Sequence, residues 1–392
     1  MKERLKIGLI GCGQVSRVGH GPAISHLRRA EITSIADPDD ANRKHFKRKF
    51  RVRRDYRDHK EMLERENLDA VVIATPPWLH AAQVSDCVAA NVHILCEKPL
   101  ATTLEDCRKI VELSGSYNKH VQIGHSKRFE TGFQQIKKWL DTGSLGRVYQ
   151  MSIAWHYFIP DFSTGWLHAC LRALKTVGVD LEKKYGTWRY FDERAGGGDF
   201  FDHGPHYIDL LRFFFGEIES IYCKTGRFHR SRKFEDLAIA VFVLENGTFA
   251  VLEKSTMAMG RPSGFETGHM YAEKAKVAFE AFQEYKLKPM KLGIYRLSNL
   301  LTDTYSPVKL PAGKENTLYF RQMRHFIDRI SGRDGAAALG GQERAASPYD
   351  AMLAVAWTLC GYRSAEEGRE IRKQELFEAL GLDSQQAGAA GR

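Results

Sequence analysis

No stretch of the chain stays apolar for the ~20 residues that a membrane-spanning helix needs. The first residues are charged and then strand-like, without the long apolar core of a secretory signal. These two absences lead us to expect a cytoplasmic protein without membrane contact. Cysteine is sparse: Cys12, Cys87, Cys96, Cys107, Cys170, Cys223 and Cys360 form no CxxC pair, and their number is odd. The expectation is buried thiols in a reducing compartment, with neither disulfides nor a metal site. Internal repeats are absent. Net charge is +10, and much of the excess falls in one run over 43–60, yet few aromatics interleave with it. That run reads as a solvated helix face more readily than as a nucleic-acid surface.

What is there is a globular composition, 43% hydrophobic and 27% charged, in 392 residues. This is enough for two cores. Strand-like runs at 5–10, 31–36, 68–74, 93–96 and 121–124 alternate with helical stretches at 40–50, 80–90 and 103–114. The run at 68–74 is almost continuously apolar, as a sheet covered on both faces requires. The alternation predicts a doubly wound parallel sheet over 1–125.

From about Lys127 the rhythm changes. After a helix at 130–142 come longer strand-like stretches at 148–157, 218–225, 237–244, 248–255 and 276–282. Asn246-Gly247 marks a hairpin between two of them. A second domain of α+β type, 126–372, with an open and mostly antiparallel sheet is expected. A late helix at 349–367 is expected, followed by a tail at 373–392 that is partly disordered, after Asp383.

Gly8-Leu-Ile-Gly11-Cys-Gly13-Gln14-Val15-Ser16 follows the first strand and opens a helix expected to reach Arg28. That is the context of a dinucleotide-phosphate loop. Gly11 permits the turn, Gly13 admits the pyrophosphate, and the helix N-terminus faces its charge. Ser16 stands where glycine or alanine is usual. Asp37 ends the second strand, 24 residues past Gly13, where a carboxylate accepts from both ribose hydroxyls and repels a 2′-phosphate. NAD is favoured, while Arg43 and Lys44 nearby leave NADP open.

With these residues the chain resembles the Gfo/Idh/MocA oxidoreductases. The resemblance rests on the glycine loop, Ala74-Thr75-Pro76-Pro77 with His80, and Glu97-Lys98-Pro99. It continues through Lys127-Arg128-Phe129, Trp188-Arg189, Gly196-Gly197-Gly198, Asp202, His206 and Asp209. It implies a Rossmann domain followed by an α+β domain whose sheet often joins copies, hence a homo-oligomer, dimer or tetramer. It also implies that the helix at 349–367 braces the first domain. Gly11, Gly13, Gln14, Val15, Asp37, Thr75, Pro76, His80, Glu97 and Lys98 are then expected to hold the cofactor. The segment 158–193, long and aromatic, departs from the pattern and leaves the substrate class open.

By the same resemblance, His206 is the base that takes a hydroxyl proton, and an imidazole suits that task near neutrality. Lys98, at the carboxyl edge of the sheet, orients the hydroxyl and shares the proton. Asp202 stands four residues before His206, in a helix expected to begin near it with Pro205 in its first turn. Taken alone, Lys98 also reads as a surface lysine, His206 as a helix histidine satisfied by Asp202 or Asp209, and Asp202 as a cap. Arg128, Tyr157, Trp188 and Arg189 are the candidates for substrate contact, with Trp155, His156, Trp166, His168 and Tyr190 behind them.

The expected reaction is hydride transfer between NAD(P) and a ring hydroxyl of a sugar, glycoside or inositol. A redox-neutral enzyme with tightly bound NAD would use the same residues: a glycosidase, lyase or epimerase that oxidises, eliminates and reduces back. A cofactor-binding regulator needs none of Lys98, Asp202 and His206, and no nucleic-acid partner is expected.

Overall fold

The computed structural model describes residues 4–158, 188–229, 232–257, 265–282, 290–296, 304–332 and 344–381. They divide into two compact units. One is drawn from 1–142, 284–290 and 309–355, the other from 143–283, 291–308 and 356–392.

The first unit is built on six parallel strands. These are β1 (Leu5–Ile10), β2 (Ala30–Ala36), β3 (Arg54–Tyr56), β4 (Ala70–Ile73), β5 (His93–Cys96) and β6 (Val121–Ile123). Their order is β3-β2-β1-β4-β5-β6. The connections reverse direction between β1 and β4, so a crevice opens outside the carboxyl ends of these two strands. β4 is buried at every position, as its unbroken apolar run requires.

The helices of this unit are α1 (Gly21–His26), α2 (Asp40–Phe50), α3 (His59–Arg65), α4 (His80–Ala89), α5 (Leu104–Gly115) and α6 (Thr131–Asp141). Asp39 caps α2 by accepting from the Asn42 amide, and Thr103 caps α5 by accepting from the Asp106 amide. Where the sequence led us to expect one helix from the glycine loop to Arg28, the run is not one regular helix. Ser16–His20 is wound as a π-helical turn, α1 follows, and the helix stops at Leu27. Pro22 lies at the start of α1, and with no N–H it cannot bond back to the preceding turn.

The basic run at 43–60 crosses α2, β3 and the start of α3. Several of its charges are spent locally: Arg43 and Lys47 on Asp55, and Arg54 on Glu66.

The second unit carries a nine-stranded sheet. Its strands are β7 (Val148–His156), β8 (Ile218–Gly226), β9 (Leu237–Leu244), β10 (Phe249–Ser255), β11 (Phe265–Ala272), β12 (Lys276–Phe282), β13 (Lys291–Tyr295), β14 (Ser306–Pro307) and β15 (Ile371–Arg372). The order is β14-β13-β12-β11-β7-β10-β9-β8-β15, antiparallel throughout except where β10 runs parallel to β7. The fold is therefore an N-terminal parallel sheet followed by an open, mostly antiparallel one. Asn246-Gly247 turns β9 into β10, with Gly247 at φ +81°.

Two further helices belong to this unit: α7 (Trp188–Phe191) and α8 (Asp199–Phe215). The chain later forms α9 (Leu318–Ile330), α10 (Pro348–Glu367) and α11 (Lys373–Leu380). α9 returns to the first unit, where Leu318, Tyr319, Met323, Phe326 and Ile327 join Ile7, Ile24 and Leu95 in one buried cluster. The units are thus interleaved in sequence, and α10 contributes residues through Val355 to the first and the rest to the second.

The start of α8 differs from expectation. It begins at Asp199 after Gly198, and Pro205 is its seventh residue, well inside the helix. The early start has a physical cause: the first amides of α8 are taken by side chains from other segments, so no cap of its own is needed near residue 202.

Candidate active site

In the first unit, the expected cofactor residues gather at the carboxyl ends of β1, β2, β4 and β5. Gly11 has φ +92°, and a Cβ there would stand 2.7 Å from the Ala74 carbonyl oxygen. Only glycine lets the loop lie this close to the exit of β4. At Gly13 no atom comes within 4 Å of where a Cβ would stand, so the backbone is open to a ligand. Ser16 is fully buried, and its hydroxyl donates to the Gly11 carbonyl at 2.5 Å, so the serine that breaks the usual pattern braces the turn.

Asp37 closes the cradle. Its Oδ2 accepts the Cys12 N–H at 2.7 Å, and its Oδ1 accepts the Asp39 N–H at 2.8 Å. Each carboxylate oxygen has a second lone pair for a ribose hydroxyl. Arg43, which left NADP open, is engaged by the Asp37 carbonyl, Asp40 and Asp55. The open cradle, the forward-facing amides of a helix start and the fixed carboxylate together fit a dinucleotide.

His80 is buried, with Nε2 3.0 Å from the Thr75 carbonyl oxygen and Nδ1 3.0 Å from that of Pro99. It ties the Thr75-Pro76 loop to the segment after Lys98, and burial pushes its ionisation below the ordinary range. Lys98 follows β5, and the Lys98–Pro99 peptide is cis. Glu97 is turned inward: one oxygen lies 2.7 Å from His20 Nε2, and the other accepts the Lys98 N–H at 3.2 Å. Gly124 leaves room for that carboxylate, since a Cβ would stand 2.9 Å from it. Glu97 thus grips the backbone that presents Lys98. His20, its partner, had no signal in the sequence beyond its place in the helix after the loop.

In the second unit, α8 carries Asp202 and His206 one turn apart, and His206 is 1% exposed. Asp202 Oδ2 lies 3.3 Å from Arg189 Nε and 3.4 Å from His203 Nδ1. The Arg189 guanidinium stacks 4.3 Å above the Trp188 ring. Trp155 on β7 meets His203 and Tyr207 edge to face. Tyr157 donates to Asp199 Oδ1 at 3.1 Å, and the Lys254 ammonium lies 3.7 Å from the centre of the Tyr157 ring. Lys254 itself is 1% exposed, on the inward face of β10. Asp199 is fully buried, and burial pushes its carboxyl up against the pull of Lys254 and Arg232.

The structure therefore brings Asp202, Arg189 and Trp188 together, and sets Tyr157 among Asp199 and Lys254. Arg128 belongs to the first unit, where it is buried, 3.6 Å from Asp350 and donating to the Arg344 carbonyl at 3.4 Å. His156 points to the opposite sheet face, bonded to Glu253 at 2.8 Å. Trp166, His168 and the Tyr190 side chain lie outside the described residues, as do most of 158–193 and the tail after Asp383. Sequence reasoning missed Asp199, Arg232, Glu235, Lys254 and Tyr362. Only Lys254 had a local signal, a cation at the inward position of the alternating Ala250, Leu252, Lys254. Among the described residues, no three His, Cys, Asp or Glu stand together as metal ligands, and no helix is long and apolar enough to cross a membrane.

Residues 5–125 match the family profile described as an oxidoreductase family with an NAD-binding Rossmann fold, and residues 133–277 match the GFO/IDH/MocA C-terminal domain. A D-apiose dehydrogenase from Paraburkholderia graminis is 26% identical over 396 residues, covering 100% of this chain and 96% of the relative. A myo-inositol 2-dehydrogenase from Thermotoga maritima is 22% identical, covering 95% and 100% respectively. Among solved structures, a levoglucosan dehydrogenase in complex with NADH and levoglucosan superimposes with a TM-score of 0.78 at 19% identity. That match covers 94% of this chain and 99% of that one, and likeness at this identity speaks for the fold alone.

Proposed function

The chain belongs to the Gfo/Idh/MocA family of oxidoreductases, and from that premise we propose that it is an NAD-dependent dehydrogenase acting on a ring hydroxyl of a sugar, glycoside or inositol. The observation that carries the reading is the Asp37 carboxylate, held against the Cys12 amide at the mouth of the glycine loop. It meets a ribose diol well and a 2′-phosphate badly, since a second anion would stand against it.

Bound NAD⁺ supplies the hydride acceptor. The chain's own groups manage the proton and the substrate. His206 takes the proton of the hydroxyl undergoing oxidation, and a neutral imidazole is suited to this near pH 7. Lys98, by the family resemblance, orients the hydroxyl and shares its proton, and Glu97 fixes its backbone. Asp202, oriented by Arg189 and His203, accepts from a substrate hydroxyl. Trp188 and Tyr157 supply rings for the apolar face of a sugar. The names of the relatives, a D-apiose and a myo-inositol dehydrogenase, support a polyhydroxylated substrate.

Two measurements test this. Titration with NAD⁺ and NADP⁺ should show a preference for NAD⁺ that Asp37→Ala weakens by roughly tenfold or more, the loss of one or two charge-assisted hydrogen bonds. An unchanged preference in the variant would remove Asp37 from the site. Incubation with NAD⁺ and a panel of sugars, glycosides and inositols should reduce the nicotinamide with at least one member. A panel that is silent throughout defeats the dehydrogenase reading.

A further inference from the structure

α8 is capped from outside. Glu235, just before β9, and Tyr362, in α10, both belong to the second unit, and between them they take every amide from residue 198 to 201. Glu235 Oε2 accepts the Gly198 N–H at 3.1 Å, and Oε1 accepts the Phe200 N–H at 2.9 Å. The Glu235 carbonyl oxygen lies 3.4 Å from the Asp199 amide, which donates to it. The Tyr362 oxygen accepts from Phe201 N–H at 3.1 Å and from Gly198 N–H at 3.3 Å, and its own proton goes to Glu235 Oε1 at 2.7 Å. The first bond within the helix, from the Asp202 amide to the Gly198 carbonyl, begins where this set ends. A helix start normally leaves these donors to water or to its own capping side chain. Here two remote residues satisfy all of them.

The glycines before α8 make room for this arrangement. A Cβ at Gly198 would fall on the Glu235 carbonyl, and one at Gly197 on the Tyr362 hydroxyl. At Gly361, one residue before Tyr362, a Cβ would stand 2.6 Å from the Phe200 ring. The Phe200 and Tyr362 rings meet edge to face at 5.7 Å. Gly197 and Gly361 thus admit no Cβ where the start of α8 meets α10, and the Phe200 and Tyr362 rings pack between them.

We propose that Glu235 and Tyr362 are positioning residues of the reaction: they hold the N-terminus of α8 so that Asp202 and His206, one and two turns further on, stand in productive register. This rests on the dehydrogenase reading given above. A helix dipole and three donors favour the Glu235 carboxylate. Burial opposes them and pushes its pKa up to about 7. The charged group facing it is Asp199 on α8, which repels it, itself flanked by Lys254, Arg232 and Asp202. Its titratable neighbours are Tyr362 on α10 and Cys223 on β8, both pushed up chiefly by burial and then by Glu235.

The test uses the full chain with Tyr362→Phe, Glu235→Ala and Glu235→Gln. Hydrogen exchange over 197–206 reads the clamp without any substrate. Steady-state rates and NAD⁺ affinity read the reaction. Tyr362→Phe and Glu235→Ala should accelerate exchange roughly tenfold, the loss of about one net hydrogen bond. They should lower kcat by roughly ten- to a hundredfold, the effect of a small misplacement at the reacting centre, while Kd for NAD⁺ stays unchanged. Glu235→Gln, which keeps one carbonyl acceptor, should recover most of both losses. Exchange unaltered in Tyr362→Phe overturns the clamp, and kcat unaltered despite faster exchange overturns the positioning role. If no sugar, glycoside or inositol is turned over by wild type, the dehydrogenase reading fails, while the exchange comparison still decides the clamp.

Discussion

A carboxyl that is nearly enclosed yet receives three hydrogen bonds stands between opposed forces, and at Glu235 burial wins. Its pKa is raised from 4.5 to about 7. The folded protein therefore holds a proton that the unfolded chain has released over that interval. The contribution to stability is fully present below about pH 4.5 and is lost as pH rises through about 7. Thermal melts across this window should show wild type losing stability with rising pH and Glu235→Gln losing less. Parallel slopes for the two proteins would mean that the group does not titrate there.

Glu235 also marks a limit of sequence reading. Gly11, Asp37, Lys98 and His206 could be singled out because each sits at a fixed offset from a local pattern. Glu235, Tyr362 and Lys254 act on partners tens to more than a hundred residues away, and nothing near them in the chain announces it. The same holds for His20, which reaches Glu97 across the parallel sheet.

Among the elements, the sheet of the second unit has two unlike faces. Met151, Ile153, Phe242 and Leu252 point inward and are buried. On the outer face Tyr222, Ile239, Val241, Phe249 and Tyr271 remain exposed. Adjacent strands place them side by side: Tyr222 pairs with Val241 across β8 and β9, and Phe249 with Val243 across β10 and β9. We propose that the cluster of Tyr222, Val241 and Phe249 on this face is an interaction surface. Its proposed occupant is the same face of a second copy, in line with the assembly that the family resemblance implies. Phe249→Lys should shift the sedimentation of the protein toward the monomer, and an unshifted or already monomeric wild type would remove this pairing.

Strands with alternating, β-branched sequences, such as β9 and β10, were readable in advance. β11 was not, because Phe-Glu-Thr-Gly-His-Met-Tyr-Ala has one β-branched residue and an internal glycine. It forms because β7 and β12 flank it on both sides, so pairing overrides propensity. α9 was overlooked for a different reason: its apolar stripe is clear, but its core lies three hundred residues earlier in the chain, against Ile7 and Ile24.

At the scale of the whole molecule, the chain is two units whose segments interleave. The order of architectures, a parallel sheet and then a mostly antiparallel one, followed from hydrophobic period and turn residues. The interleaving did not, since no composition change near Lys309 or Val355 marks where the chain changes unit. The proposed reaction is oxidation of a hydroxyl in which Lys98 and His206 manage the proton. The most direct measurement is the initial rate of nicotinamide reduction for the best member of the substrate panel. It compares wild type with His206→Ala and Lys98→Ala, each saturated with NAD⁺. We predict that both variants bind NAD⁺ and that His206→Ala lowers kcat by roughly 10²- to 10⁴-fold, the range of a lost general base. Rates indistinguishable between wild type and both variants would contradict it.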